Sequence, residues 1–432
     1  MLPASQAESL ILDLVQPLHL QRDSETVHLM AASGRILATE VVGTLDFPHW
    51  DNSAMDGYAV RYADVQGCSA EQPAVLDIVE EIPAGYQPQK TVQPGQAARI
   101  LTGSMMPSGA DTVVIQEETT RDGDRVSILS PPRSNAFVRH QAEFYRAGTP
   151  LLSAGLELAA PDIAVLAAAQ VPTVTVYRRP RVALLSTGSE LVGPDQPLHP
   201  GQIVDSNQYA LAALVASAGA EPVCLGIVPD QPEPLKAAIA RAIATADMVL
   251  SSGGVSVGDY DYVDRILAEL GATLHIRAVA VKPGKPLTVA TFSRQDPGTT
   301  AEEPSQILYF GLPGNPVSAL VSFWRFVQPA LRKLSGLSSS WSPVVVKGRS
   351  HHELRSDGKR ETYFWGQLYL ADGEYEFHRA GGSLSSGNLI NLAQTNGLAI
   401  LPVGHTRVAA GEEVDIMQVN SAKSITQKQI KV

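Results

Sequence analysis

The stretch RVALLSTGSE, residues 181–190, decides the fold. Val182–Leu185 are apolar without alternation, the pattern of a strand buried on both faces, and the chain then turns polar around Gly188. Similar units follow. Asp205-Ser206-Asn207 offers a cap to a helix with Leu211, Leu214, Val215 and Ala218 on one side and Gly219 as its stop. The pattern then predicts a strand at Val223–Val228, a helix over Pro234–Ala246 and a strand at Met248–Ser251. Val263, Ile266, Leu267 and Leu270 recur at helical spacing, closed by Gly271. Strands at Leu287–Phe292 and Ile307–Phe310 flank a polar insertion, and a last helix runs from Pro316 to about Leu334. Alternation of this kind predicts a doubly wound, mostly parallel sheet over residues 179–335.

The flanks read differently. Residues 1–50 carry one helical pattern (Leu10, Ile11, Leu14, with Pro17 as breaker) and predict a second helix around Val27–Leu37. Residues 51–147 are short β-prone runs between turns, including Val75–Ile82, Ala97–Leu101, Thr112–Gln116 and Arg125–Leu129, with Asp122-Gly123-Asp124 as a hairpin turn. Residues 148–178 return to a mostly helical, Ala-rich reading before a strand at Thr173–Tyr177. SGLSSSWSP, 335–343, is a linker, and 343–432 reads as a small all-β domain. The expected architecture is α/β and β multidomain: a central doubly wound domain, a β-rich inserted module, a split N-terminal domain and a small, β-barrel-like C-terminal domain.

Composition narrows the function. At 432 residues the chain has room for about three domains. Apolar residues are 44% and charged residues 18%, which excludes a disordered chain or a coiled coil. The net charge of −11 argues against a protein that covers nucleic acid or an anionic membrane, while leaving room for a positive pocket that takes a small anion. Cys68 and Cys224 cannot make a disulfide framework. The N-terminus lacks a basic region before its apolar stretch, and no 18-residue run is free of charge or proline. The expectation is a soluble cytoplasmic protein.

Ligands of doubly wound sheets bind beyond the carboxyl ends of the strands, and three polar loops fall there: 186–190, 251–261 and 311–318. Their glycines let backbone N–H groups approach an anion, and the helix starts add partial positive charge. Neither GxGxxG nor GxxxxGK[ST] is present, so a dinucleotide fingerprint and a Walker loop are excluded. Lys282-Pro283-Gly284-Lys285-Pro286 presents two ammonium groups on a stiff turn, which suits an oxyanion. Glu190, Asp230 and Asp261 recur at strand ends, as carboxylates that hold Mg²⁺ or act as acid and base do. Asn315 followed by Pro316 is good helix-start chemistry. The segment Asp51–Ala59 packs two carboxylates, an amide and a hydroxyl where the β-rich region begins, and Ile100–Ser104 forms a second polar turn. The histidines show no zinc-ligand spacing.

At these residues the chain resembles a known family. DNSAMDGYAVR (51–61), ILTGSMMPSGADTVVIQEE (100–118), LLSTGSEL (184–191), SSGGVSVGDYDYV (251–263), VKPGKP (281–286) and GLPGNPVSAL (311–320) closely resemble the molybdopterin molybdenumtransferases, bacterial counterparts of the gephyrin E domain. The resemblance runs in order over nearly the whole chain. It implies insertion of molybdenum from molybdate into adenylylated molybdopterin, with Mg²⁺ assistance and release of AMP. It also implies a central molybdopterin-binding domain within an elongated, four-domain homodimer. The cleft is expected between the central domain of one subunit and the β module of the other. By position, Asp56 and Thr102 are the partner subunit's contribution. Glu190, Asp230 and Asp261 bind metal or place the pyrophosphate. Ser252, Gly253, Gly254 and Ser256 cradle the pterin phosphate. Gly314, Asn315 and Arg360 join the binding set, and Lys282, Lys285 and Ser318 face the molybdate. A molybdopterin adenylyltransferase is the expected source of the substrate and a candidate docking partner.

Three departures stand out. Arg139-His140-Gln141-Ala142-Glu143-Phe144 replaces the family's usual Arg-Gly-Glu-Asp stretch, so that Phe144 stands at an acidic position unless Glu143 substitutes. Gly358-Lys359-Arg360 keeps one of two usual arginines, and Arg277 is offset by one from the usual basic position. Two other readings remain at this stage: a non-catalytic molybdopterin-binding or scaffold homologue, and a nucleotide pyrophosphatase with similar glycine loops.

Overall fold

A computed structural model describes residues 1–254, 260–294 and 305–424, with side chains at all of these except 260–262 and 424. The central region supplies β1 (Arg181–Thr187), α1 (Asn207–Ser217), β2 (Glu221–Val228), α2 (Pro232–Thr245), β3 (Met248–Ser252), α3 (Tyr260–Glu269), β4 (Thr273–Ala278), β5 (Pro286–Arg294) and β6 (Ser305–Leu312). They form one six-stranded sheet in the order β2-β1-β3-β6-β5-β4. Only β5 runs against its neighbours.

The unalternating strands are apolar because each face has its own core. Val182 and Leu184 of β1, Met248 and Leu250 of β3, and Phe310 of β6 pack with α1 and the last helix. The intervening Ala183, Leu185, Val249 and Tyr309 pack with α2 and α3. The last helix runs as Pro316–Ser322, a π-turn at Phe323–Val327, and Gln328–Leu334. The N-terminal helix, Ala4–Leu14, lays Ala4, Ala7 and Ile11 into the same core, with Glu8 on Arg325 at 2.5 Å.

The helix expected around Val27–Leu37 is absent. Ser24–His28 is instead a strand, antiparallel to Thr173–Tyr177, followed by a single 3₁₀ turn at Leu29–Ala31. The β-branched Thr26 and Val27 sit opposite Thr175 and Val174, and this distant ladder overrides the local period. Val41–Val42 likewise pairs with Pro150–Leu152. The 51–147 stretch therefore leaves and re-enters through neighbouring strands, and the expected helix of 148–178 is confined to Ala160–Ala168.

Between those strands lies a second six-stranded sheet, order Thr112–Ile115, Gly57–Val60, Gln96–Ile100, Ala74–Ile82, Arg125–Ile128, Thr119–Asp122. Its last hairpin pairs Asp122 with Arg125 around Gly123 and Asp124, the turn expected from the sequence. Near the C-terminus five strands, Val345–Ser350, Glu361–Ala371, Glu374–Arg379, Gly397–Leu401 and Glu413–Gln418, close into a barrel. Among the described residues no helix is long and apolar enough to cross a membrane.

Arg178 ties the first domain to the central sheet. Its guanidinium reaches Asp23 at 2.8 Å and Asp247 at 2.7 Å, and both carboxylates are buried. Arg22 adds a second guanidinium on Asp23 at 2.8 Å.

Candidate functional site

The carboxyl edge of the central sheet is drawn tight by its glycines. Gly253 follows β3 at φ +93°, and a Cβ there would stand 2.2 Å from the Thr187 carbonyl oxygen. The Gly253 N–H donates to the Leu312 carbonyl at 3.3 Å, while Asn207 Nδ2 of α1 donates to the Gly314 carbonyl at 2.9 Å. The ends of β1, β3 and β6 and the start of α1 are thus laced together. Ser186 and Ser252 share a buried hydroxyl contact of 3.2 Å. Thr187 Oγ1, buried at the same edge, has no hydrogen-bond partner among the described residues. Ser256 lies outside the described residues. Asp261 falls within α3, but its side chain is also outside them.

The lysine turn sits beside this edge, held by the barrel. Val281 and Lys282 pair in parallel with Glu361 and Thr362. Arg360 donates to the Val281 carbonyl at 3.3 Å, and Glu361 N–H donates to the Ala280 carbonyl at 3.0 Å. Gly284 is required in the turn: at φ +110°, a Cβ would meet Ser322 Oγ of the last helix at 2.9 Å. Together turn, helix start and barrel enclose a cleft of about 480 Å³. Lys282, Lys285, Asn315, Ser318 and Arg360 line it, joined by Arg355.

Asn315 stands at the N-cap position of the last helix but makes no side-chain cap, which leaves its amide to the cleft. The first free N–H is taken instead by the barrel, Val317 N–H donating to the Ser386 carbonyl at 3.2 Å. Lys282 is steadied by Asp357 at 3.5 Å. The carboxyl of Asp357 is held below the usual carboxylate range by the Lys359 N–H and, secondarily, by Lys282. Arg277 does not reach the cleft residues; it is paired with Asp264 of α3 at 2.6 Å.

Glu190 and Asp230 follow the ends of neighbouring strands, since Thr187 of β1 is level with Val228 of β2. Both are exposed, and the Glu190 carboxylate folds over Gly188, where a Cβ would come within 2.8 Å of it. Among the described residues no group of three or more His, Cys, Asp or Glu side chains converges on a point.

Asp56 and Thr102 meet each other but do not line the cleft of their own chain. Asp56 Oδ1 accepts the Thr102 hydroxyl at 2.6 Å and its N–H at 2.7 Å. These two bonds, the hydroxyl first, hold the Asp56 carboxyl below the usual range. Asp51 is used structurally, taking the Gln141 N–H at 2.7 Å. The Glu143 carboxylate, two residues along from Gln141, accepts the His140 N–H at 3.0 Å. Phe144 stays 59% exposed against Phe47, with ring centroids 6.1 Å apart.

Three family models match in succession: the MoeA N-terminal region (domain I and II) over residues 2–169, a probable molybdopterin binding domain over 183–333, and the MoeA C-terminal region (domain IV) over 347–419. A molybdopterin molybdenumtransferase from a Nostoc species is 64% identical over 411 residues, 95% of this chain and 92% of that one. The chain belongs to the molybdopterin molybdenumtransferase family. A Haemophilus influenzae molybdopterin molybdenumtransferase is 33% identical over 423 residues, covering 97% of this chain and 99% of its own. The crystal structure of a molybdopterin biosynthesis protein, MoeA, from Pyrococcus horikoshii matches with a TM-score of 0.80 at 29% identity, over 97% of this chain and 100% of that one.

Two cleft residues of this transferase-family chain were not legible as such. Arg355 sits in the short strand Leu354–Arg355, paired with Arg407–Val408, and Ser386 in the loop after Glu374–Arg379, both far along the sequence from the lysine turn. The signal that could have found them is the pairing of Val281–Lys282 with Glu361–Thr362, which no local pattern announces.

Proposed function

We infer that this chain inserts molybdenum from molybdate into adenylylated molybdopterin, releasing AMP and giving molybdenum cofactor. The observation that carries this reading is the cleft: Lys282, Lys285, Arg355 and Arg360 line it, and no carboxylate does among its described lining residues. Four cations with no carboxylate among them, and the Ser318 hydroxyl, suit a tetrahedral dianion in sign of charge and in hydrogen-bonding capacity. The glycine edge at Ser252–Gly254 and Gly314 lets a phosphate approach backbone N–H groups within reach of the same cleft.

Glu190 and Asp230 fit Mg²⁺ by donor chemistry. They are hard oxygen donors at neighbouring strand ends, and Mg²⁺ commonly takes one or two carboxylates plus substrate phosphates. Asp261 belongs to the same proposed set. When bound, the ion would neutralise the diphosphate from which AMP departs. The chain's own residues then bind the two anions, hold them side by side and orient the leaving phosphate.

Asp56 and Thr102 are proposed to complete the cleft of a second subunit in a homodimer. Supporting this, the hydrogen bonds of the described residues in 51–142 stay within 43–150. Trp50, Met55, Leu101 and Phe144 near them are exposed apolar side chains. A molybdopterin adenylyltransferase is the proposed supplier of substrate, in a cytoplasm where Cys68 and Cys224 remain free thiols. The test is AMP release from adenylylated molybdopterin with Mg²⁺, with and without molybdate: release that requires molybdate supports the reading, and substrate binding without release overturns it.

A further inference from the structure

At the opposite edge of the central sheet a second cavity gathers as many cations as the cleft. Helix α1 and the last helix both start at the carboxyl edge and end at the amino edge, beside Pro180. Where their ends meet the first domain they enclose about 250 Å³. Arg35, Arg178, Arg179 and Arg332 line this cavity, and Glu157 is its only carboxylate among the described lining residues.

The four guanidiniums are not equivalent. Arg178 is spent on Asp23 and Asp247, and Arg35 on Glu25 and the Tyr177 carbonyl. Arg179 and Arg332 have no carboxylate within ion-pair distance among the described residues. This is in a chain where Asp and Glu outnumber Lys and Arg by 44 to 33. Nor are they spent on helix ends. The last carbonyls of α1 are taken by Ala218, Gly219 and Ala220 N–H groups, and the Arg332 carbonyl by the Ser335 hydroxyl at 2.8 Å. Two like charges at one small cavity repel, and a multivalent anion between them removes that cost while forming charge-assisted hydrogen bonds.

We propose that this cavity is a second oxyanion site, taking a free tetrahedral dianion of the phosphate class between Arg179 and Arg332.

The test uses inorganic phosphate and calorimetric titration of the full chain carrying Lys282→Ala and Lys285→Ala, which weaken the cleft as a competing anion site. One saturable site persists in that chain, and adding Arg179→Gln with Arg332→Gln weakens it at least about tenfold. Arg179→Gln alone, at an exposed side chain, gives part of this loss and controls for misfolding. Absence of a saturable site in the lysine variant overturns the proposal, as does an affinity that the arginine changes leave untouched. A change of oligomeric state on arginine substitution without any phosphate dependence also overturns it, assigning the cavity to a carboxylate of a second copy.

Discussion

Asp56 Oδ1 accepts both the hydroxyl and the N–H of Thr102, at 2.6 and 2.7 Å, on a surface that its own chain leaves exposed. An exposed carboxylate given two donors is being held ionised and pointed. Thr102→Val removes the hydroxyl and keeps the N–H, so the Asp56 carboxyl rises toward the ordinary range. The acid limb of the pH–activity profile then moves to higher pH, while Asp56→Asn abolishes the limb together with most activity. An unchanged limb in Thr102→Val removes Asp56 from the reacting set.

Arg355 and Arg360 reach the cleft from the segment between the first two barrel strands, Arg360 also donating to the Val281 carbonyl. Each charge-assisted contact to molybdate is worth about a tenfold change in affinity. Arg355→Ala and Arg360→Ala therefore raise the KM for molybdate roughly tenfold each, with little change in binding of the adenylylated pterin. Steady-state kinetics with molybdate varied checks this, and equal effects on both substrates would count against the placement.

Arg178 is the joint between first and central domains. Arg178→Met leaves the buried Asp23 and Asp247 carboxylates without their shared partner, costing about 3 kcal/mol, the low end for such pairs because Arg178 is itself partly exposed. Burial pushes the Asp23 carboxyl up, but Arg22, the His19 N–H and Arg178 outweigh it and hold it low. A depressed carboxyl contributes stability above the ordinary carboxylate range and loses it as pH falls through the folded value. Denaturant titration should show a large loss for Arg178→Met at neutral pH and a smaller one in acid.

His351, His352 and His378 cluster on the barrel, with His351 stacked on His378 at 4.4 Å. Burial lowers His352 and His378 first, and the neighbouring imidazoles add to it. Arg379 also disfavours the charged form of His352. Glu376 opposes the shift at His378. A lowered histidine is protonated more readily in the unfolded chain, so stability is full above its ordinary value of 6.5 and declines as pH falls below it. The melting temperature should drop between about pH 7 and 5.5, and His378→Gln should flatten that slope.

Much of this architecture was legible because it is local. Val182–Leu185 announces a strand with two covered faces, and glycines at Gly219 and Gly271 mark real helix stops at positive φ. What escaped was set at a distance. Val27 sits in a strand because Val174 lies opposite, and Arg360 reaches the cleft because the adjoining barrel strand pairs with Val281–Lys282. Asn315 reads as a cap, yet its side chain makes no capping hydrogen bond and lines the cleft. Local chemistry named the right helix start there but not the use of its side chain.

The most direct measurement is a single turnover of adenylylated molybdopterin with molybdate and Mg²⁺, counting AMP released and molybdenum bound to pterin in the same sample. The account predicts one molybdenum inserted for each AMP, with both lost in Lys282→Ala/Lys285→Ala. AMP released at the same rate without molybdate, and no molybdenum on the pterin, would contradict it and make the protein a pyrophosphatase.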